Sequence, residues 1–290
     1  VRDSKGELSR EFCFRTIEEL SKTLGWDVDE EPNFTPFDKL QQLIDHSVKN
    51  PDVKDVTIFV KDQQTGLREI FVLTMCMRIL VKFMEVTSRV INSCLPNETL
   101  SVPSRKEDLI KKHSRYVFES KRELLKKCDP SDYVHMTLRY SSSSDAKSWC
   151  QQFCMPAFGC FLESCLSQFG PESEQLIKIL HSILNLITQK HIHIDPRVKQ
   201  WFKTHPNVTG SSDTFNTLSD LFNKRVPGLY EDDSIVNLSN MMQGIPHETS
   251  SALHASYLML ASSSLKDLTR RLSSSPKLKC LVLGECVVTN

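Results

Sequence analysis

Three polar stretches hold the residues of this chain whose types and spacing could do chemistry. The first is KDQQTGLREI, from Lys61 to Ile70. With a turn at Gln64 to Gly66, a hairpin brings Lys61 and Arg68 close together, and two cations on neighbouring strands could hold a triphosphate. Arginine offers a planar two-pronged donor for that task and lysine a compact point charge. A charged hairpin without a ligand accounts for the same residues. The second stretch is Ser144-Asp145-Ala146-Lys147-Ser148-Trp149. Metal-dependent phosphoryl transfer needs a carboxylate at such a strand end, because Mg²⁺ prefers hard oxygen ligands. A turn or helix-capping aspartate is the plainer alternative. The third runs from Met241 to Ser251 as MMQGIPHETSS. There a glycine loop enters a helix among amide and hydroxyl groups, which could follow a template base or a ribose. An ordinary helix entry would read the same.

Other chemistries find no support. No catalytic-triad signature, glycine-rich phosphate loop or HExxH motif occurs. Ten cysteines include a cluster at Cys150, Cys154, Cys160 and Cys165, without the tight CxxC pairing of structural zinc sites. Free thiols in a reducing compartment fit them better. His191 and His193 in HIHID alternate like one face of a strand and read as ordinary histidines. Lys and Arg number 36 and Asp and Glu 36. That balance excludes a histone-like basic tail and an acidic disordered chaperone, but not a basic channel assembled locally. One local excess stands out: Pro103 to Lys127 carries nine Lys or Arg against four Asp or Glu. A solvated helix face explains it, and phosphate contacts are the sharper alternative. No apolar run is long enough for a transmembrane span. The polar opening from Val1 to Glu11 lacks an apolar leader, and the absent initiator Met is expected from processing or, more simply, from a piece cut out of something longer.

The elements that must position these residues follow from periodicity. Leu8, Phe12, Ile17 and Leu20 recur at near-helical spacing. Pro32 and Pro36 then break the pattern, and Phe37 to Val48 resumes it through Leu40, Leu43 and Ile44. DVTIFVKDQ and Arg68 to Leu73 read as the two strands of the hairpin. Thr74 to Cys94 is apolar at Met77, Leu80, Val81 and Met84, and predicts a helix. Further helices are expected at 105–127, 158–168, 172–189, 215–222 and 250–272, with short strands at 134–139 and 281–288. The 39% hydrophobic content suffices for a sizeable core, and the mixture is helix-rich α/β without a βαβ repeat.

Taken in order, the three stretches resemble one family. Lys61 to Ile70, followed by Arg78 and Glu85, is similar to pre-motif A (motif F) of the L polymerases of segmented negative-strand RNA viruses. Asp145 to Trp149 resembles their motif A. Gln243 and Gly244, with His247, Thr249, Ser250, Ser251 and His254, resemble motif B in its phlebovirus-like form. The resemblance covers residues 50–290. It implies the fingers and palm of a right-hand, template-dependent RNA polymerase, incomplete before motif C. The implied bounds are fingers at 1–140 with pre-motif A at 57–89, palm motif A at 141–165, a fingers insertion at 166–235, and palm motif B with a following strand at 236–290.

The resemblance also implies roles. Asp145 is the expected catalytic carboxylate and ligand of Mg²⁺ or Mn²⁺ in a two-metal site. Lys61, Arg68, Glu69, Lys147, Trp149, Gln243, Gly244 and Ser250 are expected to contact nucleotide or RNA. Expected partners are template and product RNA, ribonucleoside triphosphates, a nucleoprotein-coated viral genome and the remainder of the L polymerase, in host cytoplasm and virion. Departures from the family pattern are Ser148 in place of the Lys before Trp149, Ser144 where relatives often carry an acid, and Pro246 and Glu248 around His247. No Ser-Asp-Asp step occurs, and family order places that motif, with the second metal carboxylate, beyond residue 290. The chain is therefore expected to be a fragment, inactive in isolation. The competing class is a non-enzymatic viral RNA-binding or nucleocapsid-associated protein.

Overall fold

Alternation in DVTIFVKDQ and the β-branched and aromatic run in GLREIFVL favour extended chain. The computed structural model has both as strands, β1 (Asp55–Gln63) and β2 (Gly66–Leu73). The structure describes residues 22, 24–25, 36–63, 66–127, 153–206, 208–224, 234–237, 241–242 and 245–273. These fall into two compact units, one drawn from Val1–Met84 and Cys150–Ile245, the other from Glu85–Trp149 and Pro246–Asn290. The strands expected at 134–139 and 281–288 and most of the helical pattern at 8–25 lie outside the described residues.

In the first unit a four-stranded sheet runs in the order β2-β1-β3-β4, where β3 is Lys190–His193 and β4 is Ser234–Asn237. β1 and β2 pair antiparallel from Val56↔Leu73 to Gln63↔Gly66. Gly66, expected in the turn, is thus the first residue of β2, and only positions 64 and 65 separate the strands, the loop length that strand twist favours. β1 pairs parallel with β3 through Asp55↔His191 and Val56↔Ile192, and β3 pairs antiparallel with β4. His191 and His193 share the Asp55 carboxylate, at 3.7 and 2.9 Å.

Helices α1 (Pro36–Lys49) and α2 (Met75–Cys94) flank the hairpin in sequence. Pro36 does not merely break the earlier pattern: it is the first residue of α1, where a missing N–H leaves no bond unmade. After α3 (Ser104–Lys127), the chain forms α4 (Met155–Leu166) and α5 (Glu174–Ile187). The segment expected as a helix from Glu172 starts as a 3-10 turn at Pro171–Ser173. α5 packs on α4 and α1. Its Ile179, Leu180, Ile183, Leu184 and Ile187, spaced to face one side, join Phe158, Leu162, Leu43 and Ile44 in the core. The sequence reading did not anticipate α6 (Pro196–Thr204), which pairs with α7 (Asp213–Phe222) through stacked Phe202 and Phe222 rings 4.9 Å apart.

Lys190 is the exception in this core. It is fully buried, and its ammonium donates to the Ile187 carbonyl at 2.6 Å. Burial brings its pKa down to about 8 from the ordinary 10.5. Between those values the unfolded chain binds the extra proton, so stability should rise as pH climbs through the interval. Urea denaturation of the parent chain and of Lys190→Met should show the parent gaining on the variant by up to about 3 kcal/mol from pH 8 to 10.5. A difference that stays flat with pH would contradict the burial of this charge.

In the second unit the last turns of α2 from Glu85 meet α8 (His247–Ser273). The buried stripe of α2 changes character along its length. Met77, Leu80 and Met84 give way, three or four residues per step, to Ser88 and Asn92, both fully buried. α8 answers with Thr249, Ser250, Ser251, Ala252 and Ala255. The buried hydroxyls among these must find partners. Arg105, at the start of α3, closes the far end of α2 by donating to the carbonyls of Asn92, Ser93 and Leu95 at 3.2, 2.9 and 2.9 Å. Asn92 and Ser93 lie in the last turn of α2, whose carbonyls no later N–H of that helix can reach.

Candidate functional site

The hairpin register pairs Lys61 with Arg68 and Val60 with Glu69. Partner positions in an antiparallel ladder share a face, so the two cationic positions do. Asp145, Lys147 and Trp149 lie outside the described residues, as do Gln243 and Gly244. The residues bracketing the latter pair are described. Met241 and Met242 are buried, Met242 takes a left-handed φ of 58°, and the Ile245 N–H closes a turn onto the Met242 carbonyl at 3.3 Å. A left-handed conformation costs a residue with a Cβ about 1–2 kcal/mol, so burial of both methionines and Ile245 must hold this turn in place.

Ser250, expected to face nucleotide, is buried, and its hydroxyl donates to the His247 carbonyl at 2.7 Å inside α8. Its neighbours carry the interactions. Glu85 of α2 receives the opening N–H groups of α8: His247 at 3.0 Å and Glu248 at 2.6 Å on one carboxylate oxygen, Thr249 at 3.2 Å on the other. The Thr249 hydroxyl donates to that second oxygen at 2.9 Å. Its single proton being used, Thr249 accepts from the Ser88 hydroxyl at 2.7 Å.

Two further carboxylates complete the arrangement. Glu248 takes the Arg89 guanidinium at 2.6 and 3.2 Å, the Ser101 hydroxyl at 2.5 Å and the Asn92 amide at 3.4 Å. Burial alone would raise its pKa, but the Ser101, Arg89 and Asn92 hydrogen bonds outweigh it and hold the carboxyl below the usual glutamate value. Arg89 is pushed up by the same hydrogen bond and charge. Glu98, fully buried, accepts the Leu100 and Ser101 N–H groups and the Ser251 hydroxyl at 2.7 Å. Asn97 donates to the Ala255 carbonyl at 2.8 Å. The side-chain oxygens of Asn92 and Asn97 are buried and meet no partner among the described residues. Burial also lowers the His254 pKa.

The sequence reading named Ser250 and passed over Glu85, Ser88, Arg89, Asn92 and Glu248 as site residues. A signal existed: 85, 88, 89 and 92 stand at helical intervals on one face, continuing the apolar stripe of α2 as a polar one. Among the described residues no three His, Cys, Asp or Glu side chains gather as a metal ion would need. None of the described helices is long and apolar enough to cross a membrane.

A helix-rich fold with a small mixed sheet is consistent with a polymerase-like domain. Residues 42–282 match the model of the family described as Bunyavirus RNA dependent RNA polymerase, and the chain belongs to that family. It is homologous to RNA-directed RNA polymerase L of Rice stripe virus (isolate T), 28% identical over 263 residues, 86% of this chain and 8% of that protein. The RNA-directed RNA polymerase L of Heartland virus is 26% identical over 236 residues, 76% of this chain and 10% of the relative. That of Dabie bandavirus is 26% identical over 203 residues, 69% of this chain and 9% of the relative. The chain thus spans about a tenth of the length of these curated relatives or less.

The depressed Glu248 carboxyl has a testable sign. A group whose folded pKa lies below its unfolded value stabilises above the unfolded pKa, and that contribution is lost as pH falls through the folded one. Glu248→Gln should therefore destabilise the chain at neutral pH by about 1–3 kcal/mol, the worth of a charged hydrogen-bonded group. The gap to the parent should close in acid, below the ordinary glutamate range. Denaturant titrations at neutral and acid pH check this, and a gap independent of pH would contradict the network described.

Proposed function

We propose that this chain is the part of a viral RNA-directed RNA polymerase that receives the incoming ribonucleotide against template RNA, with Asp145 as its catalytic carboxylate. The observation that carries this reading is the family match over residues 42–282, which contains all three polar stretches in order. On this reading the segment contributes fingers and palm, with the bounds given above, to an L protein that replicates and transcribes a nucleoprotein-coated genome in cytoplasm and virion.

Each residue has a chemical task. Lys61 and Arg68 offset the charge of triphosphate or template, and Glu69, the next residue along, is the acid that the family pattern carries there. Lys147 and Trp149, two and four residues after Asp145, contact the nucleotide. Gln243 can donate and accept at once, which suits a ribose 2′-hydroxyl or a base edge. Gly244, lacking a Cβ, lets backbone approach the nascent pair. Ser250 secures the first turn of α8 through its hydrogen bond to the His247 carbonyl. Asp145 would hold Mg²⁺ or Mn²⁺, and such an ion, when bound, offsets charge on the transferring phosphoryl group.

In the intact polymerase carrying this segment, Asp145→Asn keeps the side-chain shape and removes the charge. Primer extension should fall by about a hundredfold or more while RNA affinity stays within about threefold. Near-normal extension by this variant would overturn the assignment.

A further inference from the structure

Helix α8 begins without a cap of its own. The residue before it is Pro246, which has no side-chain acceptor, and the opening N–H groups of a helix have no carbonyl within it to bond. Most helices meet this need locally, with a Ser, Thr, Asp or Asn one position before the first turn. Here the acceptor is Glu85, 162 positions earlier in the chain than His247, and it uses both oxygens on three backbone N–H groups and the Thr249 hydroxyl. The charge also suits the positive end of a helix of 27 residues.

A local cap would stabilise α8 equally well, but it would fix nothing outside the helix. A remote cap does more, because it ties the start of α8 to α2, the helix that follows directly on the Lys61–Arg68 hairpin. His247 is three residues beyond Gly244. The chain that follows Gly244 therefore enters a segment whose first three N–H groups are held by one carboxylate. Glu248 adds a second hold on the same segment through Arg89 and Ser101. We infer that Glu85 is a positioning residue for nucleotide selection: by fixing where α8 begins, it fixes the anchor of the chain three residues after Gly244. The inference rests on the polymerase reading above and extends it to a residue that does not itself touch nucleotide.

The test uses the intact polymerase carrying this segment, with steady-state incorporation of matched ribo- and deoxyribonucleotides on a primed RNA template. Glu85→Ala should raise the apparent KM for the ribonucleotide about tenfold and narrow the ribo-over-deoxy ratio of kcat/KM by a similar factor, with kcat per active site within about threefold of the parent. Thr249→Val, which keeps the β-branched shape and removes one of the four bonds, should shift both numbers the same way by less. Glu85→Asp should recover part of the loss. A purely structural role predicts fewer active molecules, with KM and the ratio unchanged, and that outcome would overturn the inference. Should Glu85→Ala fail to accumulate, Thr249→Val decides by the same two numbers. Asp145→Asn run alongside separates the two claims: loss of extension there supports the polymerase reading whatever Glu85 does, and retained extension overturns that reading while the Glu85 comparison is still read.

Discussion

A helix cannot satisfy its own first N–H groups, so its start must find acceptors elsewhere. In this chain that requirement falls on one side chain, Glu85, whose four hydrogen bonds hold the first turn of α8. The rest of the second unit is arranged so that this can happen. Ser88, one turn along α2, donates to the same threonine that Glu85 engages. Ala252 and Ala255 are fully buried further along α8. Arg105 holds the opposite end of α2, so that helix carries a side-chain clamp from α3 at its C-terminus while giving one to α8.

Three carboxylates, Glu85, Glu98 and Glu248, gather around α8 with Arg89 as the guanidinium that pairs with one of them. Buried charge is costly unless hydrogen bonds replace water. Here the replacement comes mainly from backbone N–H groups and hydroxyls, whose dipoles act without a matching set of cations. The depressed pKa of Glu248 reports that these donors more than offset its burial. Such an arrangement is directional where an apolar contact is not. Met77, Leu80 and Met84 can pack against many shapes, whereas Glu85 accepts from N–H groups only where the helix start presents them.

Much of the fold was legible because period decides it. Strands alternate, so DVTIFVKDQ announced β1, and its pairing with the returning strand followed from the short connection. α2, α5 and α8 showed apolar or small residues at helical spacing. The misses have local causes. Pro36 was read only as a breaker, although proline also opens helices. Asp195-Pro196 carries the same message for α6, with the Asp195 carboxylate accepting from the Arg197 N–H at 2.8 Å. β4 is four residues long, and Ser234–Asn237 has too few positions for alternation to show. The clamp was illegible for a different reason. Periodicity marks 85, 88, 89 and 92 as one face, but nothing local says that residues 247–249 will meet it, because that contact is set by tertiary structure.

The central claim is that Glu85 supplies the bonds that α8 cannot make for itself, and amide hydrogen exchange reads those bonds directly. In the intact polymerase carrying this segment, the amides of His247, Glu248 and Thr249 should exchange slowly in the parent and about as fast as solvent-exposed amides in Glu85→Ala, while those deeper in α8, such as Ala255, change far less. Fast exchange of the three amides in the parent, or protection that survives the loss of Glu85, would contradict the account.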